Sequence, residues 1–387
     1  MEKIRESLPH VAVLLRSSCI TNRELIRGML EYTRIEEPWM LSIEMCHCDE
    51  PGEIDLDAIH CAGIVTDRPN PSVLDYARQH RVPVITVLQD GQISPEVIAN
   101  VTCDDASVAK LAATHLVNAG FEHFAYVVNR SCARWSKERL DAFRHELAEQ
   151  GFSVDAYELG TNDGLAEFLG QLPKPCGILV ANDKRAIDVL HIAFKANITI
   201  PDEIAVVSVD NDCILCETAR PTLSSIPWDT EKTGYEAARI LDAAISTRRR
   251  KSPFQTVMYH GMTVVARRSS AHVRSSDALV RRCLILMELN VASNLSVNAL
   301  AQHLSISRRT LERRFLAGTG ESVAAALLRI RMIKAENLIR TTTKSLGDIA
   351  KLCGFCDASH LVNTFKRRIG VTPSSLRSER SPGRNVL

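Results

Sequence analysis

The sequence lacks the features of a membrane-spanning or exported protein. No stretch approaches the roughly 18 consecutive apolar residues that a transmembrane helix requires. The first apolar run, 11–15, is short and is followed at once by Arg16, unlike a secretory signal peptide. We therefore expect a cytoplasmic protein without membrane contact, whose 12 cysteines are reduced and mostly buried.

Motifs for catalysis, nucleotides and metals are also missing. No GxGxxG fingerprint or P-loop follows the first apolar run, which argues against a dinucleotide or NTP site of those types. Cys353 and Cys356 with His360 have zinc-like spacing, as do Cys213 and Cys216. No fourth ligand lies near the first set, and the second pair has no partner in sequence. We therefore expect no enzyme, no metal site and no cofactor.

Charge is distributed unevenly along the chain, although the formal net charge is only +1. From Arg267 to the end there are 21 Lys and Arg against 8 Asp and Glu, a net charge of +13. The preceding part has 26 against 38 and is net −12. A small basic segment after an acidic globular one is typical of nucleic-acid binding, because phosphate neutralisation supplies most non-specific affinity. A merely basic surface would give the same totals.

Short apolar, β-branched runs alternate with amphipathic stretches over the first 265 residues, which is the rhythm of βαβ units. Most runs lack polar alternation, as expected for strands buried on both faces of a parallel sheet. They lie at 10–15, 39–45, 63–67, 83–87, 123–128, 177–182 and 203–210. We therefore predict a doubly wound α/β fold, in which ligands bind beyond the carboxyl ends of the strands.

Polar and aromatic side chains follow three of these runs and are suited to binding a sugar. Charged, planar groups form paired hydrogen bonds with adjacent hydroxyls, while an indole face covers the apolar side of the ring. The candidate clamps are Arg139, Asn182, Asp183 and Asp210, and the candidate platform is Trp135. Each has a structural alternative, since an aspartate there could cap a helix, the arginine could lie on a helix surface and the tryptophan could pack in a core.

These stretches resemble the core domain of the LacI family and of periplasmic sugar-binding proteins over about residues 9–265. The resemblance is carried by VTCDDASVAKLAATHLVNAGFEHFAYV, RLDAFRHEL, GILVANDKRA, ITIPDEIAVVSVDND and LSSIPWDTEKTGYEAARIL. It implies a two-lobed sensor in which Arg139, Asn182 and Asp210 contact the sugar. Pro227 and Trp228 stand where that family often has a polar amide. No DNA-binding headpiece precedes the first strand, so a DNA-binding segment is expected at the other end.

The region 296–317 has the pattern of a helix-turn-helix. Apolar residues recur at helical spacing after an N-cap at Ser296, a short turn follows, and a second helix begins after a cap at Ser307. The second helix is expected to bury Leu311 and Phe315 and to end at a glycine. Its outward-facing residues, which are candidates for DNA contact, are Arg308, Arg309, Glu312 and Arg313.

The same pattern reappears some fifty residues later, over 345–368, and such an internal repeat is a strong signal. Ser345 is the N-cap and Gly354 lies in the turn. Leu361 and Phe365 take the places of the two apolar residues of the first recognition helix. The sequence therefore predicts two DNA-reading units in one domain.

The stretch between the two units, about 322–340, is rich in Ala, Leu, Ile, Met, Lys and Arg and contains neither Gly nor Pro. It predicts one continuous helix of close to 30 Å, near the length of one DNA turn. Two recognition helices held that far apart can enter successive major-groove segments on one face of DNA.

The segment 278–377 resembles the AraC family of regulators, and GFCDASHLVNTFKRRIGVTPSSLR follows that family's signature. The base-facing positions that the resemblance implies are Arg309, Arg313, Ala358, Ser359 and Asn363. The implied phosphate contacts are Lys366, Arg367 and Arg368. Arginine on guanine and asparagine on adenine are the geometrically favoured pairs. Ordinary exposed helix charge is the alternative interpretation.

A LacI-like sensor ahead of an AraC-like domain resembles regulators of pentose use. That resemblance implies a small sugar effector, D-xylose by preference, activation of transcription, a homodimer, and RNA polymerase and double-stranded DNA as partners. The predicted organisation is a sensor at 9–265, a linker at 266–277, a DNA-binding domain at 278–377 and a tail at 378–387. A regulator responding to another sugar, a sugar-processing enzyme with a DNA-binding tail and a ligand-independent architectural DNA binder are the alternatives.

Overall fold

The structure is a computed structural model that describes residues 8–16, 18–36, 38–46, 55–67, 69–88, 93–247, 254–271, 277–291, 295–342 and 344–378. The chain divides into two compact units, Met1–His272 and Val273–Leu387. The division falls inside the predicted linker. Among the helices of the described ranges, none has the length and apolar character needed to cross a membrane.

The first unit consists of two lobes, each built on a sheet whose strands are all parallel. The sheet of the first lobe has the order β11-β5-β4-β3-β1-β2, and that of the second has the order β10-β9-β8-β6-β7. The strands are β1 (His10–Arg16), β2 (Met40–Cys46), β3 (Gly63–Thr66), β4 (Val84–Val87), β5 (Val97–Cys103), β6 (His123–Val127), β7 (Val154–Tyr157), β8 (Cys176–Val180), β9 (Ile204–Val209), β10 (Ser224–Ile226) and β11 (Gln255–Tyr259).

Helices cover the sheets of both lobes, which confirms the predicted doubly wound α/β fold. They are α1 (Ile20–Ile35), α2 (Pro71–His80), α3 (Asp105–Ala119), α4 (Arg134–Ala148), α5 (Leu165–Gln171), α6 (Asp183–Lys195), α7 (Cys213–Thr218) and α8 (Thr230–Thr247). The continuously apolar strands β3, β4, β8 and β9 are buried at every residue. β5, β7 and β11 were not predicted, because their burial alternates. Buried and partly exposed residues alternate in β5, and partly exposed and exposed residues alternate in β7 and β11 up to a buried last residue.

Three crossings of the chain connect the lobes: after β5, after β10 and after β11. His260, in the third crossing, joins the other two. Its Nδ1 lies 2.8 Å from Asp104 Oδ2 in the first crossing, and its backbone N–H donates to Asp229 Oδ1 in the second at 2.5 Å. The N–H of Gly261 donates to Ser107 Oγ at 2.9 Å. The three crossings are therefore joined to one another by hydrogen bonds.

The first unit extends beyond its predicted end at residue 265, which is a correction to the linker boundary. A short 3-10 turn, Arg268–Ser270, packs on the second sheet. Ser269 Oγ donates to the carbonyl of Val206 at 2.6 Å, and the hydroxyls of Ser270 and Ser224 lie 2.8 Å apart. Because these serines are buried and hydrogen-bonded, the turn belongs to the second lobe.

The described part of the second unit is all helical. Its helices are α9 (Ala278–Leu289), α10 (Val297–His303), α11 (Arg308–Thr319), α12 (Val323–Thr341), α13 (Leu346–Leu352), α14 (Ala358–Ile369) and α15 (Pro373–Ser378). The pairs α10–α11 and α13–α14 are the two predicted helix-turn-helix units, and α12 is the predicted continuous helix between them. The side chains of Ser296, Ser307 and Ser345 accept hydrogen bonds from backbone N–H groups three residues later, so the predicted N-caps are confirmed.

Each helix-turn-helix has its own apolar core. Leu311 and Phe315 are fully buried in the first, and Leu361 and Phe365 are fully buried in the second. The helix α12 contributes one set of residues to each core: Val323, Ala326 and Leu327 to the first, and Met332, Ala335 and Ile339 to the second. The two cores are therefore joined by a single helix.

Candidate functional site

A cavity of about 470 Å³ lies between the two lobes of the first unit. Residues at or after the ends of β1, β3 and β4 line it from the first lobe, and residues that follow β6, β8, β9 and β10 line it from the second. Because all of these strands are parallel, their carboxyl ends face the cleft from both sides. The size and polar lining suit a small hydroxylated ligand.

Arg139 is a buried cation that lines this cavity. It lies on α4, is 2% exposed and forms a salt bridge with Asp105, Nε to Oδ1, at 2.7 Å. Burial is the largest single influence on the pKa of its guanidinium and lowers it, but the neighbouring acidic groups, led by Asp105, together outweigh burial and raise that pKa. The guanidinium lies between two indole rings, 4.8 Å from the centroid of Trp135 and 5.2 Å from that of Trp228. The predicted clamp and platform are thus in contact, and a second indole completes the stack.

Asp210 lies where β9 ends, opposite this stack. Its backbone has φ 103°, a conformation that side chains other than glycine rarely adopt and that the surrounding structure must enforce. The indole N–H of Trp228 donates to its Oδ1 at 3.1 Å. Burial raises the pKa of the Asp210 carboxyl to about 7, and the nearby carboxylate of Asp183 adds to the effect. Burial thus favours the protonated form of this carboxyl more than it would for an exposed aspartate.

Asp183 is a correction to the predicted set, because it does not line the cavity. It is 1% exposed, and its carboxylate accepts hydrogen bonds from the hydroxyls of Ser208 and Ser225 at 2.5 and 2.6 Å. The backbone N–H of Asp212 donates to it as well, at 2.6 Å. These bonds tie the start of α6 to the turn after β9. Asp183 is thus a structural residue beneath the cleft, not a direct ligand contact.

Asn182 lines the cavity and is also the N-cap of α6. Helix capping was the structural alternative that the sequence offered for the next residue, Asp183. The Oδ1 of Asn182 accepts from the backbone N–H of Arg185 at 2.9 Å. Arg185 itself is 1% exposed and donates to the carbonyl of Thr161 at 2.7 Å. With Arg130, which pairs with Asp188 at 2.6 Å, it makes this wall of the cleft basic. Arg130 and Arg185 were not predicted as site residues.

The wall formed by the first lobe was not predicted from the sequence. Arg16 Nε lies 2.7 Å from Asp67 Oδ2, and the side-chain amide of Asn22 donates to the same oxygen at 3.1 Å. All three line the cavity. Arg16 directly follows one predicted apolar run and Asp67 ends another, so the rule applied to the second lobe would have identified both. Cys19 and Cys103 line the cavity too, and burial raises the pKa of both thiols.

The predicted DNA-contacting side chains lie on the two recognition helices, α11 and α14. Those of Arg308, Arg309, Arg313, Ser359, Asn363, Lys366, Arg367 and Arg368 are exposed, and that of Ala358 is partly exposed. Arg308 is engaged within its own helix, because its Nε donates to Glu312 at 2.9 Å. The side chains of Arg309, Arg313 and Asn363 are therefore accessible from outside the domain. Their role in DNA contact stays a prediction.

The cysteine pairs with zinc-like spacing have other surroundings. Cys353 is buried in the core of the second helix-turn-helix, whereas Cys356 is exposed. Cys216 is buried with its thiol 3.4 Å from Asp183 Oδ2, and Cys213 is exposed. Within the described ranges no cluster of three or more His, Cys, Asp or Glu residues could hold a metal ion.

Comparison with known proteins assigns both units. Residues 113–270 match the model of the periplasmic binding protein-like domain, and residues 300–379 match that of a helix-turn-helix domain. The xylose operon regulatory protein of Haemophilus influenzae is 24% identical over 386 residues, which cover 95% of this chain and 97% of that protein. The transcriptional activator RhaS of Enterobacter sp. (strain 638) is 35% identical over 121 residues, or 31% of this chain and 44% of RhaS.

A solved structure of a xylose-binding transcription activator, xylR, has the same fold over both units. It aligns with a TM-score of 0.67 at 23% identity and covers 96% of this chain and 98% of that one. Sequence and fold thus agree along the whole length, not in one domain alone. The chain is a homologue of the xylose operon regulatory proteins, with a periplasmic binding protein-like domain ahead of a helix-turn-helix domain.

Proposed function

We propose that this protein is a sugar-responsive, sequence-specific DNA-binding transcription activator of pentose catabolism genes, with D-xylose as its effector. The observation that carries the proposal is the presence, in one chain, of a ligand-sized polar cleft and two repeated helix-turn-helix units. The xylose operon regulatory proteins align with both. A regulator of the same architecture that responds to another sugar is the second candidate, because the identity to those relatives is only 24%.

The sugar binds between the lobes. Arg139 and Asn182 offer donors, the Asp210 carboxylate accepts from ring hydroxyls, and the indoles of Trp135 and Trp228 cover the apolar face of the ring. Asp105 holds the guanidinium of Arg139 in place, so little side-chain freedom is lost when the ligand binds.

Sugar binding shifts the protein towards a closed arrangement of the lobes. Groups from both lobes line the cavity, so a ligand that touches both favours the state in which they approach each other. The junction at His260 is where such a motion is accommodated. Closure then changes how two copies of the sensor pack in a homodimer and so alters the placement of their DNA-reading units.

DNA contact is assigned to the recognition helices. Arg309 and Arg313 on α11 and Asn363 on α14 read base edges, and Lys366 and its two following arginines bind phosphate. The sensor, 9–265 extended by the turn at 268–270, and the domain 278–377 are the functional parts. RNA polymerase is the further partner, by resemblance to AraC-type activators. Because the regulator must reach DNA, we assign it to the cytoplasm.

The first experiment is calorimetric titration of the purified chain with a panel of aldopentoses and hexoses that includes D-xylose. Micromolar binding of one sugar supports the sensor assignment and names the effector. Asp210→Ala is expected to abolish the heat of binding, whereas the matched variant of an exposed aspartate, Asp141→Ala, retains it. Silence across the panel would refute a sugar effector.

A second experiment separates the regulator from the enzyme and architectural alternatives. Duplexes selected from a random library by the protein are expected to bind more tightly when the sugar is present. Chemical turnover of a bound sugar would contradict the absence of catalytic function that we propose. Selection of one duplex with no response to any sugar would favour a ligand-independent DNA binder.

A further inference from the structure

The two helix-turn-helix units make the same turn with different residues. In the first, Ser305 adopts φ +55° and is exposed; in the second, Gly354 adopts φ +72°. Each of the two residues directly follows the C-cap residue of the first helix in its unit. Each is followed by a hydrophobic residue, Ile306 in the first unit and Phe355 in the second. Because a serine meets the conformational demand in the first unit, the left-handed backbone alone does not explain the glycine in the second.

The surroundings of Gly354 explain it. A Cβ atom on this residue would lie 2.4 Å from the carbonyl oxygen of Val291, the second residue after α9. It would also lie 2.9 Å from Nε and 3.1 Å from Nη2 of Arg331. A contact of 2.4 Å with a backbone atom cannot be relieved by a side-chain rotation. The turn of the second unit is therefore packed, backbone to backbone, against the first half of the domain.

Arg331 connects the same two halves. It projects from the middle of α12, and its Nη2 donates to the carbonyl of Leu295, at the entrance to the first helix-turn-helix, at 3.2 Å. Its guanidinium lies directly on the Gly354 turn, and burial lowers its pKa. One arginine thus contacts the first unit through a hydrogen bond and the second through close packing.

We propose that these four residues, Val291, Leu295, Arg331 and Gly354, form a brace that fixes the spacing and rotation of the two recognition helices and so determines which separation of two DNA boxes the protein accepts. Arg331 and Gly354 are its positioning residues and do not touch DNA. The inference rests on the proposed DNA-binding function. The residues that read bases determine which boxes are bound, and the brace determines how far apart they are.

Among the described residues, α12 is the element that contributes side chains to both apolar cores. Long helices bend, so a second point of contact away from the helix axis restricts the rotation of one core against the other. One inserted base pair rotates the second box by about 34° around the DNA axis and moves it by about 3.4 Å. A rigid pair of recognition helices cannot follow that displacement, whereas a loosely joined pair can.

The test uses the full chain and duplexes selected by the wild-type protein from a random library. In a second set of duplexes, one or two base pairs are inserted or deleted between the two boxes, and a third set retains a single box. The variants are Gly354→Ala and Arg331→Met. The controls are Gly320→Ala, a glycine with φ +74° that has no atom within 4 Å of its Cβ position, and Arg329→Met, which removes an exposed ion pair on the same helix.

We expect the wild type and both controls to lose at least about tenfold in affinity on the respaced duplexes, because base contacts of one box are lost. For Gly354→Ala and Arg331→Met the loss of affinity on the respaced duplexes should be less than about threefold, and the affinity for single-box duplexes should not change. Arg331→Lys should restore part of the discrimination. If Gly354→Ala does not give a cooperative melt, the two Arg331 variants decide the question.

The outcomes are distinct. If the wild type selects no duplex, the DNA-binding function itself fails. If it selects one and the folded brace variants discriminate spacing as the wild type does, the brace does not set spacing and the inference is overturned.

Discussion

The buried ion pair between Asp105 and Arg139 allows a quantitative test of how the cleft is organised. The two side chains are 9% and 3% exposed, and their charged atoms are 2.7 Å apart. Asp105→Asn keeps the size of the side chain but leaves the guanidinium buried without its carboxylate. Removing one partner of such a pair typically costs about 3–5 kcal/mol, because the remaining charge is uncompensated in a low dielectric.

That cost is large enough to measure by calorimetric or fluorescence melting. For a domain of this size each kcal/mol lowers Tm by about 2–4 °C, so we expect the Tm of the sensor to fall by about 6–20 °C. Asp141→Asn, on an exposed part of α4, is the control and should shift Tm by less than about 2 °C. The sugar affinity of Asp105→Asn should also fall, because Arg139 is no longer held in its orientation.

A double variant distinguishes the loss of the pair from a general defect. Asp105→Asn combined with Arg139→Met removes the orphaned charge, so it should be more stable than Asp105→Asn alone, although it should not bind sugar. A Tm for Asp105→Asn within about 2 °C of wild type would refute the reasoning, since it would mean that the guanidinium has another sufficient partner.

Three further predictions concern the cleft and the two cores. Burial chiefly raises the pKa of Asp210 from 3.8 to about 7, so between these values the folded chain holds a proton that the unfolded chain has lost. As the pH rises from 5 to 7, the equilibrium constant for unfolding should therefore increase at least about tenfold. Urea titrations should show this change for the wild type but not for Asp210→Asn. Gly234→Ala places a Cβ 2.1 Å from the carbonyl of Leu25 where α8 and α1 meet, so Tm should drop, whereas Gly170→Ala, with open space around it, should raise stability by up to about 1 kcal/mol. Phe315→Ala should cost about 3–5 kcal/mol in denaturant unfolding of the second unit; a cost below about 1 kcal/mol would contradict its place in the core.

Features set by local sequence were predictable. The helix caps at Ser296, Ser307 and Ser345 depend on a side chain and a backbone group three residues away, and each was identified from the sequence and is present in the structure. The repeat of the helix-turn-helix and the helix between its two copies follow from spacing alone. Strands with alternating burial, such as β5, were missed because the pattern of fully buried strands does not describe them.

The candidate ligand site was only partly predictable. Arg139, Asn182 and Asp210 line the cavity as expected, because strand ends meet ligands in this fold. Asp183 satisfies the same sequence rule, but its carboxylate accepts buried hydrogen bonds from the hydroxyls of two serines, 25 and 42 residues away in the chain. No sequence rule separates it from its neighbour, because the difference is the direction in which each side chain leaves the turn.

The sequence by itself determined the order of domains, the alternation of strands and helices, the duplicated DNA-reading unit and the segregation of charge, all of which arise from short-range periodicity and composition. The tertiary structure alone decided which charges are paired and which surfaces meet. Asp105 reaches Arg139 across 34 residues, and Gly354 is a glycine because Val291 lies against it. Such contacts depend on how distant segments pack, and packing is set by the whole fold rather than by any local pattern.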